Sequence, residues 1–170
     1  MTTQQCLGGF SNIKEENTMR RKDKEITEQN VLDEIMKEAL ICRLGVSYKN
    51  MAYIVPMSFG YSEKVLYFHS AHEGQKFMFL RENPKACFEV EIDTEVVPSD
   101  DSCNWTMKYM SIIGFGEVEF IKDLEEKRKA MNIIMQQYTD KKFIVNDDML
   151  SAVTIFKLVV STMTGKKSGC

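Results

Sequence analysis

Residues 51–61 read MAYIVPMSFGY, from Met51 to Tyr61, and this stretch decides how the chain folds. Most of its positions are β-branched, aromatic or sulfur-containing apolar residues, the composition of a strand. Pro56 lies within it. A proline cannot donate to a sheet ladder, so the strand is expected at an edge or at a bulge. Upstream, Ser47-Tyr48-Lys49-Asn50 is turn-like and residues 40–46 read as another strand. Downstream, Ser62-Glu63-Lys64 makes a tight connection to a third strand over residues 65–70, and together these segments form a hairpin.

Working outward, Thr27 is a cap candidate for a helix whose apolar face is Val31, Leu32, Ile35, Met36 and Ala39. Residues 74–81 read as a short helix that stops at Asn83-Pro84, because a residue before proline avoids the helical region. Residues 85–97 form a long strand in which Glu89, Val90, Glu91 and Ile92 alternate. A polar loop, Pro98 to Ser102, leads to a second long strand over residues 106–121. Residues 123–138 give the clearest helix, with Asp123 as its cap and Leu124, Met131, Ile134, Met135 and Tyr138 on one stripe. A last strand covers residues 153–163. About six strands and three helices result, without the strand–helix–strand alternation of a parallel sheet. The expected class is mainly β (α+β), a closed or half-closed antiparallel barrel with peripheral helices.

The chain has 170 residues and a formal net charge of −3, with 22 basic and 25 acidic side chains. One domain with a real core fits this length. The acidic balance excludes broad sequence-independent nucleic-acid binding, which needs many phosphate-neutralising cations. The five cysteines form no CxxC pair, and with two histidines no zinc-type spacing exists, so no metal is expected. A reducing, cytoplasmic setting suits such cysteines. No apolar run is long enough to span a bilayer, so no membrane association is expected. Residues 1–18 are polar and lack the pattern of a signal peptide; they read as a poorly ordered extension, with the functional domain over residues 19–170. The 12 Met and 10 Phe read mostly as core.

Two local patterns concern chemistry. Gly114-Phe115-Gly116 lies inside a strand and lacks a third glycine, so it is no dinucleotide fingerprint; there the glycines let a strand bend or another backbone approach. The segment Phe68-His69-Ser70-Ala71-His72-Glu73-Gly74-Gln75-Lys76 ends a strand in small polar residues and enters a helix whose first turn carries Lys76. A hydroxyl, free helix amides and a cation together suit a phosphate, although the same segment could be only a capped helix with a solvated lysine.

In this order the pieces resemble the FMN-binding split β-barrel proteins related to pyridoxamine 5′-phosphate oxidase, and within them the 5-nitroimidazole-resistance branch. The matching residues are Met19-Arg20-Arg21-Lys22-Asp23, Val55 to Tyr61, Leu66 to Ala71 with Gly74 and Lys76, and Asn83-Pro84 before Cys87-Phe88. Trp105, Tyr109 to Gly116, and Met163 to Lys166 continue the match. The resemblance implies a homodimer with FMN at the subunit interface. Pro56, Met57 and Ser58 would lie along the flavin ring edge. His69, Ser70 and Ala71 would approach the ribityl chain and phosphate, with Lys76 on the phosphate. Trp105, Tyr109, Ser111 and Lys166 would come from the other subunit. Ile112 and Phe115 are candidates for packing the two barrels together. The implied activity is FMN-dependent reduction of a small organic acceptor such as a nitroaromatic, with His69 as candidate proton donor. Met51-Ala52-Tyr53-Ile54 stands where the phosphate-binding arginines of true pyridoxamine phosphate oxidases would be, which argues against that substrate. The alternatives are a non-catalytic haem- or flavin-binding protein, with His69 or His72 as haem ligand, and a split-barrel dimer without a cofactor.

Overall fold

The computed structural model describes residues 19–169. The reading of residues 1–18 as an extension lies outside these. Eight strands form one antiparallel sheet: β1 (Glu25–Ile26), β2 (Cys42–Tyr48), β3 (Met51–Met57), β4 (Gly60–Ser62), β5 (Val65–Ser70), β6 (Lys85–Val97), β7 (Thr106–Phe120) and β8 (Thr154–Ser168). Four helices accompany it: α1 (Gln29–Glu38), α2 (Gln75–Glu82), α3 (Leu124–Gln136) and α4 (Asp147–Ser151). The strand order is β3-β2-β6-β7-β8-β5-β4, with β1 paired to β8.

The expected single strand over residues 51–61 is two strands, β3 and β4, and they lie at opposite ends of the sheet order. Only Ser58 and Phe59 separate them, a link that spans roughly 10 Å when extended. The sheet must therefore curl until its two ends approach, and β3 never pairs with β4 or β5. This is a split barrel: continuous through the chain, open in its hydrogen-bond ladder. Pro56 sits in edge strand β3, as its missing N–H favours, and its ring faces away from the core.

Helix α3 fills the place of the missing neighbour. The Tyr138 hydroxyl accepts from Phe59 N–H at 2.8 Å, and Gln137 Oε1 accepts from Tyr61 N–H at 3.3 Å. A Cβ on Gly60 would sit 2.6 Å from the Ile133 and Ile134 backbone of α3, so only glycine lets helix and strand approach this closely.

Several sequence expectations change. Strand β2 starts at Cys42, leaving Leu40 and Ile41 exposed at 63% and 52%. Thr27 does not cap α1; Glu28 holds that position without a side-chain cap. Asp123 does cap α3, accepting from Glu126 N–H at 2.9 Å. Strand β8 runs on to Ser168, which places Lys166 within it, because β1 and β7 pair with that extension. The tight turns at Lys49-Asn50 and Glu63-Lys64 have positive φ at both residues, the backbone of two-residue hairpins. Added side chains at Gly114 and Gly116 would collide with the Phe88 ring and the Val159 carbonyl oxygen, the close approach expected of that pair.

Inside the barrel, Leu44, Phe68, Phe88, Val90, Ile112 and Phe156 are fully or almost fully buried. Phe68 and Phe156 stack at 5.1 Å, and Phe77 from α2 closes this end edge-on against Phe156. A smaller cluster of Ile121, Ala130, Val145, Leu150 and Ile155 lies under α3 and α4. No helix of the described residues is long and apolar enough to cross a membrane.

Candidate functional site

The sequence-predicted site residues fall in three places. The first is the outer face of the sheet. Side chains along a strand alternate between faces, and directly paired residues share one. Strand β7 turns Ile112, Gly114, Gly116 and Val118 into the core and Tyr109, Ser111, Ile113 and Phe115 outward. Register extends this across the barrel: Pro56 pairs Arg43, Arg43 pairs Glu89, Glu89 pairs Ile113, and Ile113 pairs Thr164. One step along, Glu91 pairs Ser111 and Ser111 pairs Lys166. Pro56, Tyr109, Ser111 and Lys166 thus share one outer surface. Pro56 and Lys166 lie about four strand spacings apart, roughly 19 Å. Lys166 Nζ sits 5.4 Å from the Tyr109 ring centroid. Arg43 forks onto Glu89 and Glu91, both at 2.9 Å. Burial raises the Glu89 carboxyl above its ordinary range while Arg43 opposes the shift. Ile112, expected to pack across a dimer, is wholly inside its own core; Phe115 does face outward, 44% exposed.

Trp105 precedes β7 in a two-stranded arm where β6 and β7 pair only with each other. Its indole donates to the Ser99 carbonyl at 2.6 Å and its ring is 55% exposed.

The second place is the β5–α2 junction. By alternation His69 shares the face of Tyr67, which packs on the smaller core, and Ser70 shares the face of Phe68. His69 Nδ1 is buried without a hydrogen-bond partner, and desolvation lowers the pKa of the ring. His72 is fully engaged. Its Nε2 donates to the Ser151 carbonyl at 2.9 Å, which leaves Nδ1 to accept from the Thr154 hydroxyl at 3.0 Å. That excludes His72 as a ready haem ligand and leaves it stapling the junction to α4. Ala71 and Gly74 are exposed, and Gly74 has φ +141. Helix α2 starts at this glycine without a side-chain cap. Lys76, in its first turn, lies partly buried with Nζ 4.8 Å from its neighbour Phe77's ring centroid. Desolvation lowers its pKa, and it makes no ion pair among the described residues.

The third place is the strand break. Met57 is turned into the barrel at 8% exposure, opposite Cys42, so its side chain packs the core and does not line an outer surface. Ser58 is exposed between buried Met57 and buried Phe59.

A groove of about 720 Å³ crosses the outer face, lined by Ile54, Gly45, Cys87, Phe115 and Val159 with Lys85 and Glu117 among its polar residues. None of the sequence-predicted cofactor residues lines it. A second hollow of about 510 Å³, lined by His72, Gly74, Phe77, Met78 and Arg81, opens beside the start of α2. From β7 the groove takes Phe115, Glu117 and Glu119 at alternate, outward positions, and no motif in the sequence signals it. Gln137 and Tyr138 carried no motif, since what matters is their polar atoms and not the apolar stripe to which Tyr138 was assigned.

These residues fit a flavin phosphate at the β5–α2 junction. An uncompensated, partly desolvated lysine and uncapped helix amides are what a phosphate dianion requires. Among the described residues no group of three or more His, Cys, Asp or Glu could hold a metal ion.

A family model described as pyridoxamine 5′-phosphate oxidase matches residues 28–167. Among solved structures, a candidate 5-nitroimidazole antibiotic resistance protein from Bacteroides thetaiotaomicron is 36% identical with a TM-score of 0.75, over 84% of this chain and 85% of that one. A flavocytochrome from Azotobacter vinelandii (16% identity, TM-score 0.77, 90% of this chain and 73% of that one) shares the fold. So does the FAD and heme binding protein from Mycobacterium smegmatis (19%, 0.74, 86% and 74%). No curated protein sequence matches the chain. With the family model covering most of its length, over a split barrel that a relative 36% identical shares, the chain belongs to the pyridoxamine 5′-phosphate oxidase family.

Proposed function

We propose that this protein is an FMN-dependent oxidoreductase, a homodimer that passes electrons from a reduced donor to a small organic acceptor such as a nitroaromatic. The observation that carries the reading is Lys76: a partly buried cation with no ion-pair partner among the described residues, at the start of α2, which no side chain caps. A flavin phosphate is an anion that this lysine, the first amides of α2 and the family would suit. Bound flavin supplies the electron transfer; the chain binds and orients it.

Lys76 and the first α2 amides would hold the phosphate, with Ser70 and Ala71 beside the ribityl chain. Ser58 and Pro56 would border the ring. Met57 would support Ser58 from inside the barrel. His69, whose charged form burial disfavours, would use its unpartnered Nδ1 to hydrogen-bond the ligand and pass a proton to the acceptor. The exposed outer residues Met107, Ile113 and Phe115, with Val96 and Trp105, form a surface that a second subunit would cover. That subunit would bring its own Trp105, Tyr109, Ser111 and Lys166 to the flavin. The flavin-binding domain is residues 19–170. Free Cys42, Cys87 and Cys103 suit a reducing compartment such as the cytoplasm.

A non-catalytic haem reading has one observation in its favour, the unpartnered nitrogen of His69. Absorbance separates the two. The purified protein is expected to be yellow or to become so with FMN, and Lys76→Ala to weaken FMN binding about 10–100-fold, the loss of one charge-assisted contact. A protein that stays colourless after incubation with FMN contradicts the proposal; a Soret band favours haem.

A further inference from the structure

The five residues across the strand break are held from several directions, and only one is left free. Met57 is fixed by its pairing with Cys42. Phe59 is fully buried, and its N–H donates to the Tyr138 hydroxyl, which itself donates to the Leu40 carbonyl at 3.0 Å. Gly60 rests against the α3 backbone. Tyr61 N–H donates to Gln137 Oε1, and Tyr61 hydroxyl donates to Asp33 of α1 at 2.6 Å. Gln137 Nε2 faces the Met36, Lys37 and Ala39 carbonyls at the end of α1, each at 2.9 Å. Those carbonyls lack partners within the helix, so one side chain joins the end of α1 to the edge of β4. The remaining residue, Ser58, is exposed.

We propose that Gln137 and Tyr138 are positioning residues for Ser58: together they replace the absent strand neighbour and hold the break so that the Ser58 hydroxyl and backbone are preorganised toward the flavin ring edge. The proposal rests on the flavin reading. An edge with no partner strand would otherwise sample several registers, and a ligand would have to order it on binding. Here the ordering is built into the apo fold. Tyr138 suits the task because its hydroxyl, linked to both Phe59 and Leu40, ties β3–β4 to the segment entering β2.

The test is a double-mutant cycle on FMN affinity with Tyr138→Phe and Ser58→Ala, read beside amide hydrogen exchange over residues 57–62. Tyr138→Phe keeps the ring and removes the hydroxyl, so the fold survives. Each single change is expected to weaken FMN about fivefold, the value of one hydrogen bond. The double variant is expected to stay near fivefold, because a Ser58 that is no longer held has little left to lose. Exchange at Phe59 is expected to rise about tenfold in Tyr138→Phe. Gln137→Met, which keeps length and removes both polar atoms, is expected to raise exchange at Tyr61. A double variant about 25-fold weaker, the product of independent effects, overturns the proposal. So does unchanged exchange. Wild-type protein that takes up no FMN overturns the flavin reading itself, while the exchange arm still judges the clamp.

Discussion

The two faces of β7 both carry large apolar side chains, and these have opposite fates. Ile112 is fully buried and Ile113, its neighbour, is 48% exposed; Phe88, which β6 turns inward opposite Gly114, is 1% exposed and outward-facing Phe115 of β7 44%. On the inner face the apolar side chains are matched by glycines at 114 and 116 that leave room for Phe88 and the β8 backbone. The outer face has no such complement among the described residues. An apolar strand face without cover marks an interaction surface. The difference teaches that one face of this strand encodes the fold of the chain, while the other is the face the proposed dimer would use, and the flavin reading depends on that second role.

The contrast breaks first on the inner face. Phe88→Ala is expected to cost about 3–5 kcal/mol, the range for emptying a large core position, against a total stability of order 5–15 kcal/mol. Denaturant unfolding should show a midpoint far below wild type, or no folded protein. On the outer face Phe115→Asp should leave a folded chain by circular dichroism while the mass by sedimentation equilibrium falls from dimer to monomer. If the mass does not change, the outer stripe is not the subunit contact.

Two smaller effects sharpen the account. Lys76→Ala should weaken FMN about 10–100-fold while the apo protein melts within a few degrees of wild type, since among the described residues the lysine gives up no ion pair and only its contact with the Phe77 ring. Equal FMN affinity in the two proteins would remove Lys76 from the site. The smallest effect concerns pH. His69 has a folded pKa below its ordinary value because burial disfavours its charge. The unfolded chain therefore binds the proton more readily, and stability is lost as pH falls through about 6.5 toward the lower folded pKa. His69→Asn should flatten that part of the profile in thermal melts of the apo protein. A profile unchanged by the substitution would show that His69 does not carry it.

Much of this was legible from sequence. Period-two alternation located the long strands β6 and β7, Asn83-Pro84 ended α2, and Asp123 capped α3, because each is set by local chemistry. The division of residues 51–61 was not legible. Met57 and Phe59 flank a single polar residue, Ser58, a pattern that also fits one continuous strand, and the break is imposed by α3 docking on Gly60, some 70 residues away in sequence. The side to which Met57 points followed from its pairing with Cys42, which no local pattern reports. Of the candidate site, the β5–α2 junction could be proposed from sequence because a phosphate-type cradle is made of local residues. The clamp of Gln137 and Tyr138 was not, since its partners are backbone atoms of distant segments.

The central claim is that a flavin belongs to an assembled pair of these subunits, and light scattering on a sizing column with absorbance recorded in the ultraviolet and the flavin visible band tests it most directly. The account predicts one peak at twice the 19.6 kDa chain mass carrying one flavin per subunit after incubation with FMN. A monomer peak that holds FMN, or a dimer peak with no visible absorbance, would contradict it.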